Sequence, residues 1–302
     1  MKEEFDVNQG HGDHNEALFG GSGEDDRGVG VWLPKLARTG QVSAQTEGPV
    51  KCSLGEGGPE TVQVVYLSGG QDPLRLQILI GVIEKGKRNL CISAYPEAEG
   101  LPVEVCVTAI HEWANGVEAT LDGTMLGTEE RDISFFDTRY ALHKGKYEIG
   151  KTYLFKLAAL CYDDCEILPK EERKIVLTGE QAERIYKVLG EEPERAADGS
   201  VKPWTADQST GVAYWSTSAA YPDDAYIQSP VFERVRKVNA FDGSYLVFVA
   251  GIARSTGENE DEVRIPLYAR SEIFEKRPRK GDPIRGHVWV HGYMVPEGAD
   301  GL

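Results

Sequence analysis

Three ring-bearing residues near the C-terminus, His287, Trp289 and His291, are spaced to act together. Side chains of an extended strand alternate between faces, so these three share one face while Val288 and Val290 point the other way, into a barrel. Two imidazoles flanking an indole could hold a metal ion or form a base-stacking platform. Two histidines alone complete no metal site, which takes three or four ligands. In an earlier strand of similar pattern the corresponding outward residues are Lys156, Ala158 and Leu160. Apolar content on the outward face of both strands reads first as a packing surface, between barrels or against a partner.

The run Lys276-Arg277-Pro278-Arg279-Lys280, with Arg285 beyond it, is the one dense positive cluster. Arg277, Arg279, Lys280 and Arg285 are therefore the candidate anion contacts. The net charge is −16 and the isoelectric point about 4.9. A field of that sign repels phosphate backbones, so a solvated loop balanced by Glu272 and Glu275 is the preferred reading. Asp163-Asp164-Cys165-Glu166 and Pro222-Asp223-Asp224 are acidic but lack the ligand alternation of a calcium loop, and read as solvated turns. His11-Gly12-Asp13-His14 lies in a segment expected to be mobile, where it would bind metal only weakly. Cys161 and Cys165 have no second pair to close a zinc site. No nucleophile-elbow, phosphate-loop or dinucleotide-binding pattern is present. The expectation is thus no catalytic residue, no metal and no cofactor.

Residues 1–60 are rich in Gly, Asp, Glu, Asn and Gln with few apolar positions, and are expected to form a flexible arm. Val29 to Leu33 is its one apolar patch, expected as an edge strand. From Thr61 the character changes to β-branched runs separated by turn residues. Residues 61–165 are expected to form a first barrel with extra N-terminal strands, 166–229 an acidic insertion, and 230–302 a second barrel. Within the insertion, Thr178-Gly179-Glu180-Gln181 reads as a capping box, followed by apolar residues at helical spacing, which predicts a helix over 179–189 ended by Gly190.

An internal repeat supports the two barrels. Gly150 matches Gly281 and Tyr162 matches Tyr293, both at an offset of 131, while Asn115-Gly116 matches Asp242-Gly243 at 127. Each copy gives two strands, a third strand (133–136 or 264–268), a Lys/Arg-rich crossing, and a glycine that opens a final strand. With Ile149-Gly150-Lys151 and Lys280-Gly281-Asp282 at that turn, the layout resembles the OB fold of single-stranded-DNA-binding barrels, in which an apolar strand, a short helix and a glycine turn precede the next strand. The resemblance implies a mostly β chain of two tandem OB-like barrels.

OB barrels host unrelated roles, so the resemblance does not fix a function. The leading expectation is a non-catalytic binding or scaffolding protein with a protein partner. Single-stranded nucleic-acid binding through the second barrel is the alternative, disfavoured by the charge. A metal-dependent hydrolase would need three or more His, Asp, Glu or Cys side chains converging in one cleft. The longest apolar run, Leu76 to Ile83, is far short of the roughly 20 residues of a membrane span. No secretory signal is visible, and five cysteines in so long a chain do not form a disulfide framework, so a cytoplasmic location is expected.

Overall fold

The computed structural model describes residues 11, 14–20, 27–53, 59–83, 88–128, 132–217, 221–254 and 262–296. The N-terminal segment carries two helices, α1 (Asn15–Phe19) and α2 (Arg27–Thr39). A five-stranded antiparallel sheet follows, built from β1 (Gln41–Gln45), β2 (Val50–Ser53), β3 (Pro59–Gln71), β4 (Leu74–Ile83) and β5 (Arg88–Ala98). Its order is β1-β3-β4-β5, with β2 on the early part of β3.

The remaining strands belong mainly to one eleven-stranded sheet. In chain order they begin with β6 (Leu101–Glu112), β7 (Ala119–Met125), β8 (Asp132–Asp137), the short helix α3 (Tyr140–His143), β9 (Thr152–Cys161) and β10 (Glu166–Ile167). A separate hairpin of β11 (Lys174–Leu177) and β12 (Trp204–Asp207) then encloses α4 (Glu180–Leu189). The large sheet resumes with β13 (Ala213–Ser216), β14 (Asp224–Pro230), β15 (Arg236–Ala240), β16 (Gly243–Arg254), β17 (Glu262–Arg270) and β18 (Pro283–Met294).

Strands β6, β7, β8, β18 and β9 form a closed ring in that order, with β8 and β18 parallel and all other neighbours antiparallel. The mostly β, barrel-bearing architecture agrees with the sequence. A second curl runs β14-β18-β9-β17-β16, here with β9 and β17 parallel. Its seam is joined where Phe232 N–H donates to Val249 O (2.9 Å) and Gly251 N–H to Ser229 Oγ (2.7 Å). Strands β9 and β18 serve both curls, so the two units are interlocked.

The repeat maps onto this arrangement. Ala159 and Val290, which are 131 residues apart, pair directly across β9 and β18, so the pseudo-two-fold axis passes between them. Gly150 and Gly281 share a left-handed conformation (φ 84° and 86°). Gly150 N–H donates to Val107 O while Lys151 O accepts from Val107 N–H. Gly281 and Asp282 exchange the same two bonds with Val231. Close approach at the crossing demands a glycine at 292, where a Cβ would lie 2.5 Å from Lys156 O.

Alternation along β9 and β18 divides the interior in two. Phe155, Leu157, Ala159, Val288 and Val290 enter a core shared by both curls. Ala158, Leu160 and Trp289 face a second core, closed from outside by the N-terminal sheet and α1. The apolar outer face expected as a packing surface is thus covered by the chain's own first hundred residues. Polar ties reinforce that contact. Glu97 of β5, almost fully buried, accepts hydrogen bonds from Gln77 (2.9 Å), Thr138 (2.8 Å) and Arg139 (3.0 Å). Tyr95 Oη donates to Thr138 O (2.7 Å).

The flexible-arm expectation is corrected wherever the arm is described. Ala17 and Leu18 of α1 are buried, Asn15 donates to Ala94 O, and Tyr245 donates to Leu18 O. Residues 1–10, 12–13, 21–26 and 54–58 of that expected arm lie outside the described residues. The patch at 29–33 is part of helix α2 and not an edge strand. Its Trp32, Leu33 and Leu36 lie against the N-terminal sheet and Phe241, a face invisible in a sequence punctuated by Gly28, Gly30 and Pro34. Leu36 fits over Gly69 of β3, where any Cβ would overlap it. Helix α4 forms as expected, with Gly190 closing it in the left-handed region. Its N-cap is Gly179 and makes no side-chain capping bond, so the Thr178 capping box is not used.

Candidate functional site

Two features of different character stand out, an open charged groove and a sealed cluster of histidines and aspartates. The groove, of about 1450 Å³, lies between the 163–173 segment and the 273–282 loop. Lys276, Arg277, Arg279 and Lys280 line it and are exposed, joined by Lys170, Arg173 and Arg234. Two of the six lining carboxylates are paired with arginines from outside the groove, Asp163 with Arg270 and Glu166 with Arg285, and a third, Asp164, is hydrogen-bonded to His287. The lining cations keep their charge free of such partners. Arg277 donates to the backbone O of Val235 (2.7 Å) and Arg173 to that of Leu168 (3.1 Å). Among the described residues, none of the seven makes an ion pair within 4.0 Å. The groove is therefore locally cationic in a strongly acidic protein.

The buried cluster lies where the N-terminal segment crosses the barrel junction. His11 and His14 come from that segment, and Asp223 from the turn before β14, held by its carbonyl to Val290 N–H (2.9 Å). One nitrogen from each imidazole and one Asp223 oxygen lie within 4.8 Å of each other. His11 Nε2 is 2.9 Å and His14 Nε2 3.8 Å from Asp223 Oδ2. Their side chains are 2%, 6% and 0% exposed. Trp289 Nε1 donates to Asp223 Oδ2 (2.6 Å), fixing the carboxylate. His14 Nδ1 lies 2.5 Å from Tyr162 Oη, which bonds Asp224 Oδ1 at 2.7 Å. Aromatic rings wall the cluster: His11 stacks on Phe136 and His14 lies parallel to Trp289 at 4.8 Å.

Electrostatics within this cluster divide the two histidines. Burial opposes a charge on His11, but Asp223 overcomes it and raises its pKa. Burial likewise opposes the Asp223 charge, yet His11 and the Trp289 N–H hold its pKa at about 2. His14 is pushed down to about 3 by burial, with the neighbouring His11 and His291 adding to the effect. Burial and the Asp223 charge raise Asp224 to about 7.

The residues singled out from sequence do not converge. His287 is half-exposed and bound to Asp164 (Nδ1 to Oδ2, 2.5 Å). Trp289 and His291 are fully buried. His291 Nε2 accepts from Ala98 N–H (3.0 Å), so its proton sits on Nδ1, and burial lowers its pKa to about 4. Arg285 is spent on Glu166 and Glu172, outside the groove lining. Only Arg277, Arg279 and Lys280 come together, in the groove. Sequence reading treated the His11–His14 pair and Asp223 as unrelated. The His-x-x-His spacing was the available signal, and the 208 residues between His14 and Asp223 concealed the rest.

No protein-family model, curated protein or solved structure matches the chain. Among the described residues, no helix is long and apolar enough to cross a membrane.

Proposed function

We propose that this is a non-catalytic binding protein whose groove takes up an acidic segment of a protein partner. The observation that carries this reading is the set of seven lining cations left without ion pairs while two of the six lining carboxylates are taken up by arginines outside the groove. The ring order, with a parallel contact between the third strand and the shared one, supports treating the barrels as OB-like with exchanged strands. In the groove lining the sole aromatic ring is Phe274, which is buried. Single-strand binders stack bases on exposed rings, so a protein segment is favoured over a nucleic acid. The five cysteines are free thiols, which supports a cytoplasmic setting.

The test is fluorescence anisotropy with a labelled Asp/Glu-rich peptide and a labelled oligothymidylate. Rim charges contribute roughly 0.2–1 kcal/mol each, so a K276A/R279A/K280A variant should bind the peptide about 10-fold more weakly. Binding should weaken further with added salt. The oligonucleotide should bind no tighter than about 10 μM at physiological salt. Equal peptide affinity in the variant refutes the groove. Tight, salt-sensitive oligonucleotide binding that the variant loses promotes a nucleic-acid ligand in its place.

A further inference from the structure

The geometry points to a first-row divalent transition-metal site of the zinc class formed by His11, His14 and Asp223, which fastens the N-terminal segment across the barrel junction. Ligands at about 2.05 Å in a tetrahedron lie about 3.3 Å apart. The two Nε2-to-Oδ2 distances, 2.9 and 3.8 Å, bracket that edge. The third edge is at most 4.8 Å and needs the imidazoles to close by no more than about 1.5 Å.

Three further observations separate this arrangement from an ordinary buried ion pair. His14 Nε2 is buried, faces Asp223 and has no hydrogen-bond partner. A buried polar atom left unsatisfied is costly and calls for an explanation. His14 Nδ1 is held by Tyr162, itself bound to Asp224, the outer-shell relay that fixes a ligating imidazole. Finally, the carboxylates of Glu118, Asp223 and Asp224 surround the cluster, and among the described residues none of them pairs with Lys or Arg. A divalent cation would balance that charge. Two imidazoles with one carboxylate suit zinc, iron or cobalt, whereas calcium and magnesium prefer all-oxygen sites. The first two ligands sit on the docked segment and the third on the β14 turn, so metal binding and docking are one event.

Full-length protein, stripped with chelator, is titrated with Zn²⁺ against a chromophoric competitor, alongside H14A, Y162F and H111A. The expected result is one equivalent bound with Kd below about 1 μM, in the range of built protein zinc sites. H14A should lose at least about 100-fold and Y162F about 10- to 100-fold in affinity. H111A, on the half-buried His111–Asp122 pair outside the cluster, should match the wild type. Cobalt should give d–d bands without a thiolate charge-transfer band, which excludes the free cysteines as the source. Zinc should also slow proteolysis ahead of α2 in the wild type but not in H14A. Y162F keeps all three ligands and so tests the site even if H14A undocks the segment. Equal zinc affinity in the wild type, H14A and Y162F overturns the site, as does wild-type affinity weaker than about 100 μM. A cobalt thiolate band overturns it too, by placing the ion on cysteine.

Discussion

Replacing Arg139 with Ala should destabilise the fold by about 3 kcal/mol at pH 7. Arg139 holds the Glu97 carboxylate through Nε (3.3 Å) and Nη2 (3.0 Å), and its guanidinium lies 3.9 Å from the centre of the Tyr293 ring. Glu97 is 4% exposed, and stripping the partner from such a buried charge costs about 3–5 kcal/mol. Two features select the lower end. Gln77 and Thr138 still donate to the carboxylate, and a cavity of about 180 Å³ beside it admits water once the guanidinium is gone. Glu97→Gln should cost less, about 1–2 kcal/mol, because Arg139 is 27% exposed and can turn toward solvent. The double variant should be more stable than Arg139→Ala alone, since no buried charge then remains.

The pH dependence follows from the same pair. Burial works against the Glu97 charge, but Arg139 and the donors prevail and its folded pKa lies below the unfolded value. Its stabilisation is complete above the unfolded carboxyl pKa of about 4.3 and is lost as pH falls through the lower folded value. In Arg139→Ala burial acts unopposed by the guanidinium, so the penalty fades as falling pH protonates Glu97. Urea unfolding at pH 7 and pH 4 should show the gap to wild type narrowing. A cost under about 1 kcal/mol, a double variant no better than Arg139→Ala, or a gap unchanged with pH would refute the reasoning.

Two further perturbations probe the architecture. Gly292→Val should prevent the β9–β18 crossing from closing, with a loss above about 3 kcal/mol or no soluble protein, because its Cβ would meet the Lys156 carbonyl; wild-type thermal stability would show that the strands are not shared as described. His287→Ala, in contrast, should shift stability by no more than about 1 kcal/mol, since both it and Asp164 are nearly half exposed.

The sequence by itself determined local quantities. The two-residue period of β18 placed Val288 and Val290 in the core and Trp289 and His291 opposite, because strand geometry fixes side-chain alternation whatever lies outside. The matched glycines at 150 and 281 were legible as equivalent turns, since a left-handed backbone selects Gly at both. Apolar periodicity and Gly190 likewise located α4. Only the tertiary structure decided what covers each face. That Trp289 and His291 are sealed by the chain's own start depends on residues 193 to 275 positions away, Ala98 on His291 and His14 on Trp289, and alternation cannot distinguish a covered outward face from a wet one. The interlocking of the two units escaped for a related reason, because a repeat shows that two segments are alike and not which strands they exchange. His11, His14 and Asp223 carried no shared local signal. Their proximity is a product of segment docking, driven by burial of Ala17 and Leu18 against the second core, and not of any spacing along the chain.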